Sequence, residues 1–170
     1  MTTISKGEQE KIQLEHKAAK VFMRAYELKT GHKIRHIWHN KPRRPDTSCM
    51  LDDEHLDLEI AHLYGSELEA MEFLGRELSQ QSKRDLQALN RACNVNDRLL
   101  TALNLILENK SKKQYKSNRV WLVIRNVHPE WDVNTIKCLL PQIEMPNGHP
   151  FDQIWLVAED SDSLGIVQIY

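Results

Sequence analysis

Arg44-Pro45-Asp46-Thr47-Ser48-Cys49-Met50-Leu51-Asp52-Asp53-Glu54-His55-Leu56-Asp57-Leu58-Glu59-Ile60-Ala61 decides how this chain folds. Two short apolar segments, 49–51 and 56–61, flank the acidic turn Asp52-Asp53-Glu54. That arrangement predicts a β-hairpin. Folding it back brings Asp46, at the mouth of one strand, near Glu59, inside the other. Two converging carboxylates can hold a hard divalent cation such as magnesium. Asp57 shares a strand face with Glu59, so either acid or both could serve. Read alone, Asp46 after a proline also suits a turn, and the two strand acids also suit a solvated face.

Outward from the hairpin, the pattern is mixed α and β. Residues 5–29 predict a helix, with Leu14, Ala18, Val21, Phe22, Ala25 and Leu28 on one stripe. Glu15 lies at the edge of that stripe, on the side of Phe22. Gly31 stops the helix. Residues 34–38 predict a strand, and two prolines make 39–45 a connection. Ser66 with Glu69 fits a capping box for a helix. A further helical piece falls around 83–93. Asn96 or Asp97 caps a long helix over about 98–116, whose stripe of Leu99, Leu100, Leu103, Ile106 and Leu107 continues into Lys110. Residues 120–124 are apolar on both faces and predict a covered central strand. A short helix at 133–140, an Asn147-Gly148 turn and strands at 154–158 and 166–169 complete the chain. The last two strands are joined through Glu159-Asp160-Ser161-Asp162 and Gly165. The order predicts an α/β protein with a mixed sheet flanked by helices, helix first, then a hairpin or meander, then helix and strand.

Bulk properties narrow the function classes. A chain of 170 residues predicts one domain, 1–170, with residues 1–4 flexible. Hydrophobic residues make up 41% and charged residues 28%, the balance of an ordinary globular protein. The net charge of −1 gives no global basic field, so any nucleic-acid contact must come from a local patch. Three cysteines, Cys49, Cys93 and Cys138, have no metal-type spacing and read as reduced thiols. The polar start, the cysteine usage and the lack of a long apolar run predict a cytoplasmic protein with no membrane partner. His32, His36 and His39 cluster in sequence, but an extended strand sends His36 and His39 to opposite faces, against a zinc site.

A leading helix, a strand, Pro45-Asp46, a turn and an acid inside the next strand resemble the PD-(D/E)xK phosphodiesterase superfamily. The resemblance covers about the first two-thirds of the chain. It implies a restriction-endonuclease-like fold and metal-dependent hydrolysis of DNA phosphodiester bonds. It further implies Mg2+ or Mn2+ on Asp46 and Glu59, with Asp57 assisting. Glu15 resembles the helix carboxylate that some members use. The chain departs from the pattern at the lysine, because the triplet Glu59-Ile60-Ala61 ends in alanine. Lys110, aimed at the sheet by its stripe, is the preferred replacement. Lys113 is the second choice, and His62 points to the face opposite Glu59. Lys41, Arg43, Arg44 and Lys113 form the expected phosphate-backbone track. Trp38 and Tyr115 suit core or rim packing, or base stacking, and Trp121 and Trp155 suit the core. The missing lysine also fits a catalytically inactive nuclease-fold module that binds nucleic acid or a protein partner. A protein partner that selects the target is expected beside DNA, and the oligomeric state is open, a homodimer included.

Overall fold

The computed structural model describes residues 4–40, 44–92, 94–159 and 164–170. The expected flexibility of residues 1–4, the Cys93 thiol and the acidic link after Glu159 therefore fall largely outside the described residues. Six strands form one mixed sheet in the order β1 (Ile34–His39), β2 (Thr47–Leu51), β3 (Glu54–Leu63), β4 (Val120–Asn126), β5 (Gln153–Glu159) and β6 (Leu164–Gln168). The first three run antiparallel as a meander. β3, β4 and β5 are parallel, and β6 closes the far edge antiparallel. Parallel neighbours need long crossovers. Between β3 and β4 these are α2 (Glu67–Phe73), α3 (Gln80–Ala92) and α4 (Val95–Ser111). Between β4 and β5 the chain runs through α5 (Val133–Leu139).

The hairpin forms where the sequence reading puts it. Asp52 and Asp53 both have positive φ, 48° and 68°, which is the backbone a tight two-residue hairpin turn requires. Asp52 holds its place through its side chain. Its carboxylate accepts from Lys33 N at 2.9 Å and lies 2.6 Å from His32 Nδ1. Register follows from the turn, with Leu51 opposite Glu54 and Thr47 opposite Leu58. One step further along this ladder, Asp46 falls beside Glu59.

Two cores sandwich the sheet. On one face α1 (Lys6–Thr30) packs Ala18, Phe22 and Tyr26 against Leu58, Trp121 and Trp155. The aromatic rings meet at centroid distances of 5.4 to 6.4 Å, tilted or edge-on, the arrangement that ring quadrupoles favour. On the other face α4 and α5 bury Leu99, Leu103, Leu107 and Ile136 against Leu122, Ile124 and Leu156. β4 is buried along its whole length, as its two-sided apolar pattern requires.

Three local expectations are corrected. α1 is rotated from its expected stripe. Tyr26 and Met23 go inward, Leu28 is 77% exposed, and Glu15 lies in the buried face rather than on its edge. The rotation seats Tyr26 between the two tryptophans. α4 starts at Val95 with Asn94 as its cap, because Asn96 is committed to the Trp131 indole at 2.8 Å. It ends at Ser111, and the following chain turns Tyr115 onto Phe151 at 5.6 Å. Finally, β1 carries a bulge between Arg35 and Trp38, with His36 at a φ of 60°.

The hairpin turn gives a test. Asp53 is exposed and left-handed. Replacing it by glycine removes Cβ strain, so Asp53→Gly stabilises the protein by roughly 0.5–1 kcal/mol in chemical denaturation.

Candidate active site

β3 is held by β2 only as far as Leu58, while its ladder with β4 continues to Leu63. At this point one edge of β3 opens. Asp46 fills the opening. Its Oδ2 accepts from Ile60 N at 2.9 Å, and its own N–H donates to Glu59 Oε2 at 3.3 Å. Asp46 is thus tied across the mouth of the hairpin to the Glu59 carboxylate through its amide and to the Ile60 amide through its side chain.

Glu59 is 3% exposed and points to the α4 face of the sheet. A carboxylate buried that deeply needs compensation. Lys110, in the last turn of α4, donates to Glu59 Oε1 at 2.7 Å and reaches Ile60 O at 3.4 Å. Lys113 Nζ stands 3.8 Å from the same carboxylate oxygen. The apolar stripe of α4 aims Lys110 at the sheet, and the anion it meets there is Glu59. His62 points to the other face, as alternation requires. Its imidazole is driven down to about 4, chiefly by burial and then by the Arg125 charge, so it stays neutral.

Glu15 arrives from α1 and is buried beside this pair. Lys11, one turn earlier, lies 3.4 Å from it. Two concavities, of about 410 and 370 Å³, share Glu15, Asp46 and Glu59 in their walls. Arg44 and His39 line the first; Lys110 and His62 line the second. Lys113 lines both. Of the expected backbone track, Lys41 and Arg43 fall outside the described residues.

The electrostatics are those of crowded acids. Burial, reinforced by the Glu59 charge, pushes Asp46 up to about 6. Burial also raises Glu15, against the pull of Lys11. Lys113 is lowered, first by burial and then by Lys110. Tyr115 is raised by burial and by the Glu59 charge.

Asp57 is corrected. It shares the strand face with Glu59 but is taken up by its neighbours. Ser48 Oγ donates to its Oδ1, and His55 Nε2 lies 2.7 Å from the same atom. It lines neither concavity, so it stands outside the group of acids.

Sequence reasoning missed Lys11 and Asn40, weighed His39 only in a zinc cluster, and considered Tyr115 only for stacking or packing. Lys11 had a legible signal, the four-residue spacing to Glu15. Asn40 had none. It donates to Pro45 O at 2.8 Å and to Ser48 Oγ at 2.7 Å, fixing the connection that carries Asp46.

The donor set can be tested against a divalent ion. Among the described residues, no group of three or more His, Cys, Asp or Glu side chains forms a cage. His32, His36 and His39 do not meet either. Two carboxylates and the Ile60 carbonyl on an open cleft suit magnesium, which keeps several waters and takes one or two carboxylates plus phosphate oxygens. The upward drive on Asp46 comes from burial and then from the Glu59 charge, against the pull of the Ile60 amide and Lys110, and a cation would relieve the charge. The residues therefore fit Mg2+ or Mn2+ bound in an open site.

Among the described residues no helix is long and apolar enough to cross a membrane. Comparison with protein-family models, curated proteins and solved structures finds no match.

The raised pKa of Asp46 has a signed consequence. Its folded value of about 6 exceeds its unfolded value of about 3.9. Between these values the folded state holds the proton and the unfolded state does not, so this group's contribution to stability falls as pH rises through the window. Asp46→Asn therefore melts higher than the wild type at pH 7, and the gap closes below about pH 4. Added Mg2+ raises the melting temperature of the wild type and not of the variant.

Proposed function

We propose that this protein is a divergent PD-(D/E)xK phosphodiesterase, a restriction-endonuclease-like fold that hydrolyses DNA with Mg2+ or Mn2+. The observation that carries the reading is the meeting of Asp46, Glu59 and Lys110. Glu59 comes from one strand of a hairpin, Asp46 from the residue that enters the other, and the ammonium group from a separate helix. The element order supports it too: a leading helix, a three-strand meander, helices, and a fourth strand parallel to the third.

Asp46, Glu59 and the Ile60 carbonyl would hold the ion. When bound, it would supply positive charge at the phosphate and acidify an attacking water. The protein's own groups do the rest. Lys110 takes the part of the absent motif lysine at Ala61. From Glu59 and Ile60 O it is anchored where it can orient water and offset phosphate charge. Glu15 adds a further acceptor for that water. Arg44 and Lys113, exposed at the rim, would neutralise flanking phosphates and set the register of the strand.

A second reading has its own observation. Lys110 is already committed to Glu59, and Asp46 to Ile60 N, so the group is self-satisfied. A catalytically inactive module binding nucleic acid or a protein would keep these contacts for stability.

Cleavage of DNA substrates with Mg2+ and Mn2+ separates the two. The wild type cuts; Asp46→Ala does not, while remaining folded. Lys110→Arg keeps the charge opposite Glu59 but misplaces the donor, and loses about 10²-fold in rate. Salt-sensitive DNA binding without cleavage in any divalent cation would favour the inactive module. Neither binding nor cleavage would overturn the nucleic-acid reading.

A further inference from the structure

The β1 bulge decides which way Trp38 faces. In a regular strand, Ile34, His36 and Trp38 would share the α1 face, and Trp38 would enter the core. Instead, the bulge turns Ile37 inward beside Ile34, and both pack on the α1 side. Trp38 is sent to the opposite face. There it pairs with Ser48, which pairs with Asp57, so it shares a sheet face with Asp57 and Glu59. The indole rests edge-on against His55 at 5.5 Å and remains 40% exposed. The other three tryptophans are buried. The bulge is held by a left-handed, non-glycine residue, His36. Strain of that kind persists where surrounding structure enforces it, and bulges recur beside functional sites because they re-aim a side chain.

Trp38 is also close to the candidate site along the strand. Asn40, two residues on, donates its N–H to Asp46 O at 3.0 Å, and His39 and Asn40 line the cavity with Asp46 and Glu59. At about 3.3 Å per residue, Trp38 lies about 7 Å from that point. The indole stands outside that cavity's lining but within about one nucleotide's reach of a phosphate held between the acids and the rim cations.

We infer that Trp38 is a stacking platform for an unpaired nucleobase next to the scissile phosphate. The substrate class is then DNA with single-stranded character at the cut, not a closed duplex. A duplex shows proteins its base edges, whereas a single strand offers base faces on which an aromatic ring can stack. The flanking cations Arg44 and Lys113 complement the strand's charge. This inference rests on the phosphodiesterase reading for its placement, but its test does not need cleavage.

The test is tryptophan fluorescence during titration with oligonucleotides in EDTA, where no cutting occurs. The probes are a single strand, an abasic strand of the same length and charge, and the matching duplex. Trp38 is the one exposed indole, so its quenching reports stacking. The single strand is expected to quench wild-type emission and to bind about tenfold tighter than the abasic strand. Trp38→Ala should lose that tenfold for the single strand alone, and Trp38→Phe should recover most of it. Equal affinity of wild type and Trp38→Ala for the single strand, or a preference for duplex, overturns the inference. If the wild type cuts DNA and Trp38→Ala binds and cuts equally well, the stacking site fails and the phosphodiesterase reading stands. If single strands stack on Trp38 but no divalent cation brings cleavage, the platform stands and the catalytic reading fails.

Discussion

Glu59 is a charge in the middle of a covered strand, and the local architecture answers to it. Burying a carboxylate costs several kcal/mol unless donors and a counter-charge surround it. Here the hairpin register supplies the Asp46 N–H, and α4 supplies Lys110. Both depend on one event, the parting of β2 from β3 after Leu58. The parting frees the Ile60 amide and carbonyl. Asp46 takes the first and Lys110 the second. Had the ladder continued, the strand edge would have paired with backbone and no cleft would exist.

The same event leaves the acids in tension. Glu15, Asp46 and Glu59 crowd one region, and of the three lysines that face them, Lys11 and Lys113 are largely exposed. The upward drive on Asp46 and Glu15 comes first from burial, and the Glu59 charge adds to it. Carboxylates that are buried and driven upward beside an open cleft mark a candidate functional site. Ser48, His55 and Asp57 offer the contrast on the same sheet face. There the carboxylate meets two partners, and it lines neither of the two concavities.

Much of this was legible in the chain because it obeys local rules. The Asp52-Asp53 turn fixes the register, and register alone brings Asp46 to Glu59. Lys110 follows from the helical period, since it continues the stripe of Leu103 and Leu107. What escaped depends on long-range or untyped features. Nothing about histidine announces that His36 adopts a left-handed backbone, so the bulge and the facing of Trp38 were hidden. Asp57 could not be separated from Glu59 by alternation, because its partners come from across the strand pair and two residues back. The rotation of α1 that buries Glu15 is set by Trp121 and Trp155, both more than ninety residues away in the chain.

Anomalous diffraction from crystals of the protein soaked in Mn2+ asks directly whether two acids and a lysine form an open cation site. One strong anomalous peak is expected between Asp46 and Glu59, with carboxylate oxygens at about 2.1 Å, the range of a small hard cation, and Lys110 alongside. No peak at saturating Mn2+, with Glu59 still bound to Lys110 and Asp46 still bound to Ile60 N, would contradict it.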